Sequence, residues 1–174
     1  HGLYRAVKNT ICNDYCKDKN IKINLVGWSR GATVALEVAR KLKEDGCCCD
    51  NGNKLYPPVN WLGLFDAVDM TITAGWTDTV YSNVDNASHL VKTEEQKIFP
   101  TTKVKVDDPS KTKFTVMSLK GSTHSDVGGN IVDNNKELNE ASLRWMIHQA
   151  QAAGVKMQNV PSNYTEENNN VQPK

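Results

Sequence analysis

The stretch INLVGWSRGATVALEVARKL, residues 23–42, decides the fold of this chain. Alternating apolar residues from Ile21 to Leu25, followed by Val26, predict a strand over 21–28 that is buried on both sides near its end. Beyond the strand, apolar residues recur at helical spacing and basic residues fill the last turns. The five letters GWSRG therefore predict a sharp turn between a strand and a helix. The apolar face of that helix contains Ala32, Ala35, Leu36, Ala39 and Leu42.

Strands alternate with helices along the rest of the chain, which predicts an α/β layered fold with a mostly parallel sheet. Gly46 is placed to end the helix after the turn, and the last predicted helix begins at an asparagine and ends at a glycine. The further predicted elements are a helix over 3–16, strands over 59–65 and 113–121, and a helix from Asn134 or Asn135 to Gly154.

Residues 70–112 contain no clean element, although ASHLVKTEEQ, residues 87–96, fits a short helix. Beyond residue 159 the chain is polar, rich in asparagine and poor in apolar residues, which predicts disorder. We therefore expect one α/β domain over 1–158 and a disordered tail over 159–174.

Composition excludes several classes of function. The chain has 174 residues, with 21 Lys and Arg against 20 Asp and Glu, and no dense basic run, so a nucleic-acid partner is not expected. Its longest apolar runs, such as WLGLF, are far shorter than the ~20 residues that span a bilayer, which predicts a soluble chain. Because the chain starts at His1 rather than Met, we expect a fragment of a longer protein, and its localisation, as a secreted effector or in the cytoplasm, stays open.

The five cysteines form no regular pattern. Cys12 and Cys16 are four residues apart on a predicted helix, and Cys47, Cys48 and Cys49 are consecutive. An odd count without regular spacing is a poor disulfide framework, and the run lacks the spacing of zinc ligands. Free thiols on a helix and in a surface loop are the favoured prediction, with a redox or metal cluster as the alternative.

The predicted turn has the pattern Gly-x-Ser-x-Gly. In this pattern a rigid turn between a strand and a helix exposes the hydroxyl of the serine. Gly27 and Gly31 are the glycines and Ser29 is the candidate nucleophile. The backbone N–H of Arg30, at the start of the helix, is a candidate oxyanion donor. The pattern by itself is weak, and a tight turn without chemistry is the alternative.

A nucleophilic serine needs a histidine as general base. His124 follows the third predicted strand in a glycine-rich loop suited to carrying a functional side chain. His89, in the irregular middle of the chain, is the rival. His124 is the favoured base.

The base in turn needs an orienting carboxylate, which in α/β-hydrolases comes between serine and histidine in the chain. Asp66 ends the second predicted strand, where open α/β sheets place their sites. Asp69 is the alternative if that strand is longer. Asp126 is too close to His124 in sequence and is expected to bind backbone N–H groups of its own loop, with a metal ligand role as the less favoured reading.

Five blocks of the sequence together resemble one family, the α/β-hydrolases of uncharacterised function that include phospholipase effectors of bacterial type VI secretion. The resemblance implies a three-layer α/β-hydrolase fold and hydrolysis of carboxylic esters, phospholipid acyl esters in particular. It implies that Ser29 is the nucleophile, Asp66 the acid and His124 the base, and it needs no cofactor or metal. The blocks are GWSRGA at 27–32, GLFDAV at 63–68, HLVKTEEQKIF at 89–99, HSDVGGN at 124–130 and LRWMIHQAQAAG at 143–154.

The chain also departs from this family, whose members have a longer N-terminal part that supplies early strands and a second oxyanion donor. We therefore expect only the C-terminal part of the fold, with residues 21–27 as an exposed apolar edge. A non-catalytic, hydrolase-like binding module is the alternative function, and an amidase or thioesterase would use the same machinery.

A lipid ester substrate implies apolar contacts and transient contact with a membrane surface. Trp28, beside the candidate nucleophile, and Met70 are the predicted substrate-binding residues. Residues 70–112 are expected to form an apolar rim or lid, and its apolar residues would be Met70, Ile72, Trp76 and Val80.

Overall fold

The structure, a computed structural model, describes residues 2–68, 77–94, 100–129, 135–158 and 171–173. Four helices are described: α1 (Gly2–Lys17), α2 (Arg30–Glu44), α3 (His124–Gly128) and α4 (Lys136–Ala152). The described strands are β1 (Asn24–Trp28), β2 (Cys47–Cys48), β3 (Lys54–Leu55), β4 (Val59–Phe65), β5 (Thr79–Val80), β6 (Val84–Lys92), β7 (Lys105–Val106), β8 (Lys113–Leu119) and β9 (Val171–Pro173).

Five strands form the central sheet in the order β1-β4-β6-β8-β9. The first four are parallel, and β9 pairs antiparallel with β8. Two further sheets have two strands each, β2 with β3 and β5 with β7. The predicted mostly parallel sheet is thus confirmed, and the carboxyl ends of β1, β4 and β6 lie side by side at one edge.

Helices cover both faces of the sheet. On one face, α1 and α2 pack over a buried core that includes Leu25, Leu36 and Leu62. On the other face, a second core around Trp61, Leu119 and Met146 lies under α4 and α3. Successive residues of β4 therefore point into opposite cores, as a strand buried on both faces requires. The predicted three-layer α/β arrangement is confirmed.

The predicted helix at 87–96 is wrong, because Val84–Lys92 is a central strand paired on both sides. Ala87 and Leu90, three residues apart, imitate helical spacing, while the residues between them are polar yet buried. Ser88 and His89 are only 3% and 2% exposed. Because polar side chains occupy core positions of this strand, its sequence lacks the pattern of hydrophobic residues that would predict a strand.

The first strand also differs from its prediction. Leu25 is buried, but Val26 is 61% exposed, so the strand is not buried on both sides near its end. Within the described residues, β1 is the edge of the sheet, with β4 as its neighbour. Pockets lined by α1, β1 and α2 flank this edge.

The prediction of free thiols is wrong for four cysteines, because Cys12 bonds Cys47 and Cys16 bonds Cys49. The spacings match: four residues along a helix advance ~6 Å, and two along an extended chain advance ~6.6 Å. Both pairs thus fit side by side, with Cα separations of 5.2 and 5.6 Å. The middle cysteine of the run, Cys48, points the other way and is free and exposed.

Several predictions fall on residues outside the described ranges, among them those for Asp69, Met70, Ile72, Trp76 and residues 159–170 of the predicted tail. Val80, expected on an apolar rim, is instead buried in the core at 1% exposure. Val171–Pro173 pairs with β8, an element that the sequence does not predict. None of the described helices is long and apolar enough to cross a membrane.

Candidate active site

The turn between β1 and α2 holds Ser29 in a backbone conformation that residues other than glycine rarely adopt, with φ 58° and ψ −124°. Its N–H donates to the carbonyl of Phe65, 3.0 Å away, which ties the turn to the end of β4. A Cβ at Gly27 would collide with the backbone of Gly31, so only glycine fits there. At Gly31 itself a Cβ would meet open space, so the close approach of the two backbone segments requires glycine only at position 27.

Ser29, His124 and Asp66 lie in one hydrogen-bonded row. Nε2 of His124 is 2.9 Å from Oγ of Ser29, and Nδ1 is 2.6 Å from Oδ2 of Asp66. With a proton on Nδ1, the imidazole donates to the carboxylate and accepts the hydroxyl proton at Nε2. The three side chains come from the loops after β1, β4 and β8, so the sheet brings together residues that are far apart in the chain.

A short helix fixes the imidazole. His124 is the first residue of α3, and Thr123 caps that helix by accepting a hydrogen bond from the N–H of Asp126. In return, the N–H of Thr123 donates to Oδ2 of Asp126 at 2.8 Å. The expectation that Asp126 binds the backbone of its own loop is confirmed. The hydroxyl of Ser142, on α4, donates to the carbonyl of Val127 and anchors α3 from the other side.

Asp66 is fully buried at the end of β4, with a positive φ of 39°. Its N–H donates to the carbonyl of Leu90 at 2.7 Å, and its Oδ1 accepts from the hydroxyl of Thr101 at 2.6 Å. Burial raises the pKa of this carboxyl, but hydrogen bonds from three donors, His124 first among them, outweigh burial and hold the pKa below its usual value. The carboxylate is therefore charged at neutral pH.

A buried ammonium also contacts this carboxylate. Nζ of Lys92 lies 2.9 Å from Oδ2 of Asp66, and its side chain is 3% exposed. Lys92 and Thr101 are not predicted as site residues from the sequence, because both lie in the stretch 70–112, which contains no clean element. A lysine three residues after a histidine gives no signal until β6 is known to pass beside β4.

His89, the rival base, lies on β6 and has another partner. Its Nε2 accepts the N–H of Ala67 at 3.1 Å, directly after the acid. Burial lowers the pKa of His89 to about 4, against an opposing effect of the charge on Asp66. The imidazole is thus neutral at neutral pH and supports the turn that presents Asp66.

Trp28 precedes the serine and covers the histidine. Its ring is stacked on the ring of His124, with centroids 5.2 Å apart and planes 25° apart. A Cβ at Gly128 would collide with the indole, so that glycine makes room for the stacking. The tryptophan side chain stays 44% exposed, which leaves an aromatic surface beside the serine. Met70, the other predicted substrate contact, lies outside the described residues.

Arg30 begins α2, where the first backbone N–H groups of a helix have no carbonyl of that helix to bind. The positive end of the helix dipole therefore lies directly behind the serine. The backbone N–H of Arg30 thus lies at the start of the helix, next to Ser29, where a donor to an oxyanion on the substrate has to lie.

A comparison with protein families finds one match over residues 50–149, more than half of the chain. The matching family is described as T6SS, phospholipase effector Tle1-like, catalytic domain. The match includes Asp66 and His124, whereas Ser29 lies before it. No curated protein matches the chain.

Proposed function

The chain belongs to the family of T6SS Tle1-like phospholipase effector catalytic domains, and on that premise we propose that it cleaves phospholipid acyl esters through a serine nucleophile. The single observation that carries the proposal is the hydrogen-bonded row from Ser29 through His124 to Asp66, at 2.9 and 2.6 Å. These distances are within the reach that proton transfer requires.

In the first half of the reaction, Oγ of Ser29 attacks the acyl carbonyl carbon while Nε2 of His124 takes the hydroxyl proton. The charged Asp66 stabilises the imidazolium that forms. The histidine then gives its proton to the departing alcohol oxygen of the lipid, which leaves an acyl-enzyme on the serine. The N–H of Arg30 is the proposed donor to the oxyanion of the intermediate.

In the second half, water replaces the alcohol. His124 takes a proton from the water as it attacks the acyl carbon, and then returns a proton to Oγ as the fatty acid leaves. The exposed ring of Trp28 supports a lipid acyl chain as the group bound beside the serine, since it presents apolar surface next to the reacting hydroxyl. No metal or cofactor takes part in these steps.

The test is hydrolysis of phosphatidylcholine and phosphatidylethanolamine vesicles by the purified chain, with free fatty acid as the readout. Ser29→Ala is expected to lose activity by several orders of magnitude, up to about 10⁶-fold. Ser110→Ala is the matched control, because Ser110 is exposed and its hydroxyl binds only Asp108 among the contacts of the described residues. Equal activity in the Ser29 variant and the wild type would overturn the proposal.

A further inference from the structure

Lys92 ends β6 and places its ammonium inside the candidate active site. Nζ is 2.9 Å from Oδ2 of Asp66 and 2.9 Å from Oγ1 of Thr101. The lysine side chain is 3% exposed and that of Asp66 is wholly buried. A serine hydrolase mechanism needs a hydroxyl, an imidazole and a carboxylate, so this buried ammonium has no role in it.

The ammonium and the imidazole share one oxygen. Oδ2 of Asp66 is bonded by Nδ1 of His124 at 2.6 Å as well as by Nζ of Lys92. The lysine N–H of the main chain also approaches Oδ1, at 3.4 Å. Lysine therefore holds the carboxylate from both its backbone and its side chain, and fixes the oxygen that orients the imidazole.

The positive charge has an electrostatic consequence. The carboxylate alone would stabilise a protonated imidazole, which cannot accept the serine proton. The ammonium offsets the carboxylate charge at contact distance, within a site where screening by water is weak. Protonation of His124 from solvent would thus bring a second positive charge next to the first.

On the premise of the proposed function, we propose that Lys92 is a positioning residue of this site. Its ammonium holds Asp66 in place, and its positive charge, on the carboxylate oxygen that the imidazole also contacts, opposes a second positive charge on the ring of His124. The lysine acts through the carboxylate and does not contact the reacting atoms.

The other titratable groups near the carboxylate do not account for this effect. In the described part of the chain, His89 of β6 is bound to the N–H of Ala67, and its low pKa keeps it neutral. Asp126 of α3 is engaged with Thr123. Among the residues that the structure describes, the charged groups in contact with Asp66 are Lys92 and, when protonated, His124.

The experiment measures kcat and KM for phospholipid hydrolysis from about pH 4.5 to 8, since the acid limb of kcat/KM reports protonation of the free enzyme's base. Lys92→Met keeps most of the length of the side chain and removes the charge. We expect the midpoint of the acid limb to rise by about one pH unit, because the variant loses a like charge that contacts the same carboxylate oxygen as the imidazole.

Two control variants separate charge from packing. Thr101→Val removes a neutral hydrogen bond to Asp66 and should lower kcat without moving the midpoint. Lys105→Met removes an ammonium that is 64% exposed and pairs with Asp78, and should change neither. If Lys92→Met does not fold by near-ultraviolet circular dichroism, Lys92→Gln, whose amide still donates, serves for the same measurement.

An unchanged midpoint in a folded Lys92 variant would overturn the inference, and so would an equal shift in Thr101→Val. Failure of the proposed function itself looks different, because the wild-type chain would then show no hydrolysis at any pH. The two failures are therefore distinguishable within one set of measurements.

Discussion

Ser29 and Asp66 share a rare backbone conformation at the ends of adjacent strands. They are the two non-glycine residues with positive φ in the described part of the chain, at 58° and 39°. Their turns are joined by backbone hydrogen bonds, since Ser29 donates to Phe65 and accepts from Val68. Strained backbone concentrates at functional sites, and here it presents the hydroxyl and the carboxylate to one imidazole.

The positive φ at Ser29 predicts that the serine turn lowers the free energy of unfolding of the chain. Ser29→Gly should unfold at higher urea than Ser29→Ala, with a difference of about 1 kcal/mol or more, because glycine alone relieves a positive φ. Both variants lack the hydroxyl, so their comparison isolates the backbone. Alanine as stable as glycine at this position would show that the turn is not strained.

The two glycines of the turn should respond differently to alanine. Gly27→Ala should destabilise the chain by about 1–3 kcal/mol, because its Cβ would collide with the backbone of Gly31. Gly31→Ala, in the first turn of α2, has open space and should be neutral or stabilising by up to ~1 kcal/mol. Urea unfolding of both variants checks this, and equal losses would contradict the close approach at Gly27.

His89 predicts a pH dependence of stability. Its pKa falls from 6.5 to about 4 on folding, so between these values the unfolded chain binds the extra proton. The contribution of His89 to the free energy of unfolding is therefore greatest above pH 6.5. It declines as the pH falls toward 4, by roughly 3 kcal/mol in total. Urea unfolding of wild type and His89→Gln at pH 7 and 4.5 should show a smaller decline in the variant. Parallel declines would remove His89 as the cause.

The two disulfides predict a local response to reduction. No residue of α1 is fully buried, so the bonds to Cys47 and Cys49 add to the packing of partly buried side chains that holds α1 on the core. Reduction should expose the amides of α1 to hydrogen exchange and lower the free energy of unfolding by about 2–4 kcal/mol. Cys48→Ser should have no effect, since that thiol is free and exposed. Unchanged exchange in α1 after reduction would contradict this account.

Trp28 should matter more for long acyl chains than for short ones. Trp28→Ala removes the ring stacked on His124 and the apolar surface beside Ser29, and should lower kcat/KM for long-chain esters by roughly tenfold. Tyr56→Ala is the control, because Tyr56 is an exposed aromatic residue near the opposite ends of the strands. An equal loss on short-chain esters would mean that the ring of Trp28 acts by packing on His124 and not by binding the acyl chain.

The sequence predicts the parts of this fold whose burial follows a regular period. The strand over 59–65 is confirmed at the same bounds, and α2 and α4 end near their predicted glycines. The convergence of Ser29, Asp66 and His124 follows from strand ends at one edge of a parallel sheet, which a pattern of elements can predict.

The sequence fails where polar residues are buried or where contacts depend on tertiary neighbours. His89 and Lys92 stand at core positions of β6 because they contact the acid turn, and their polarity masks the strand. The disulfides depend on α1 lying against the run of cysteines, which spacing within either segment does not show.

The central claim is that Ser29 is activated by His124, and covalent labelling tests it most directly. Wild-type protein treated with a fluorophosphonate should gain one adduct, located on Ser29 by peptide mass spectrometry, and His124→Ala should label far more slowly. Folded wild-type protein that takes no label at Ser29, or labels equally fast without the imidazole, would contradict the account.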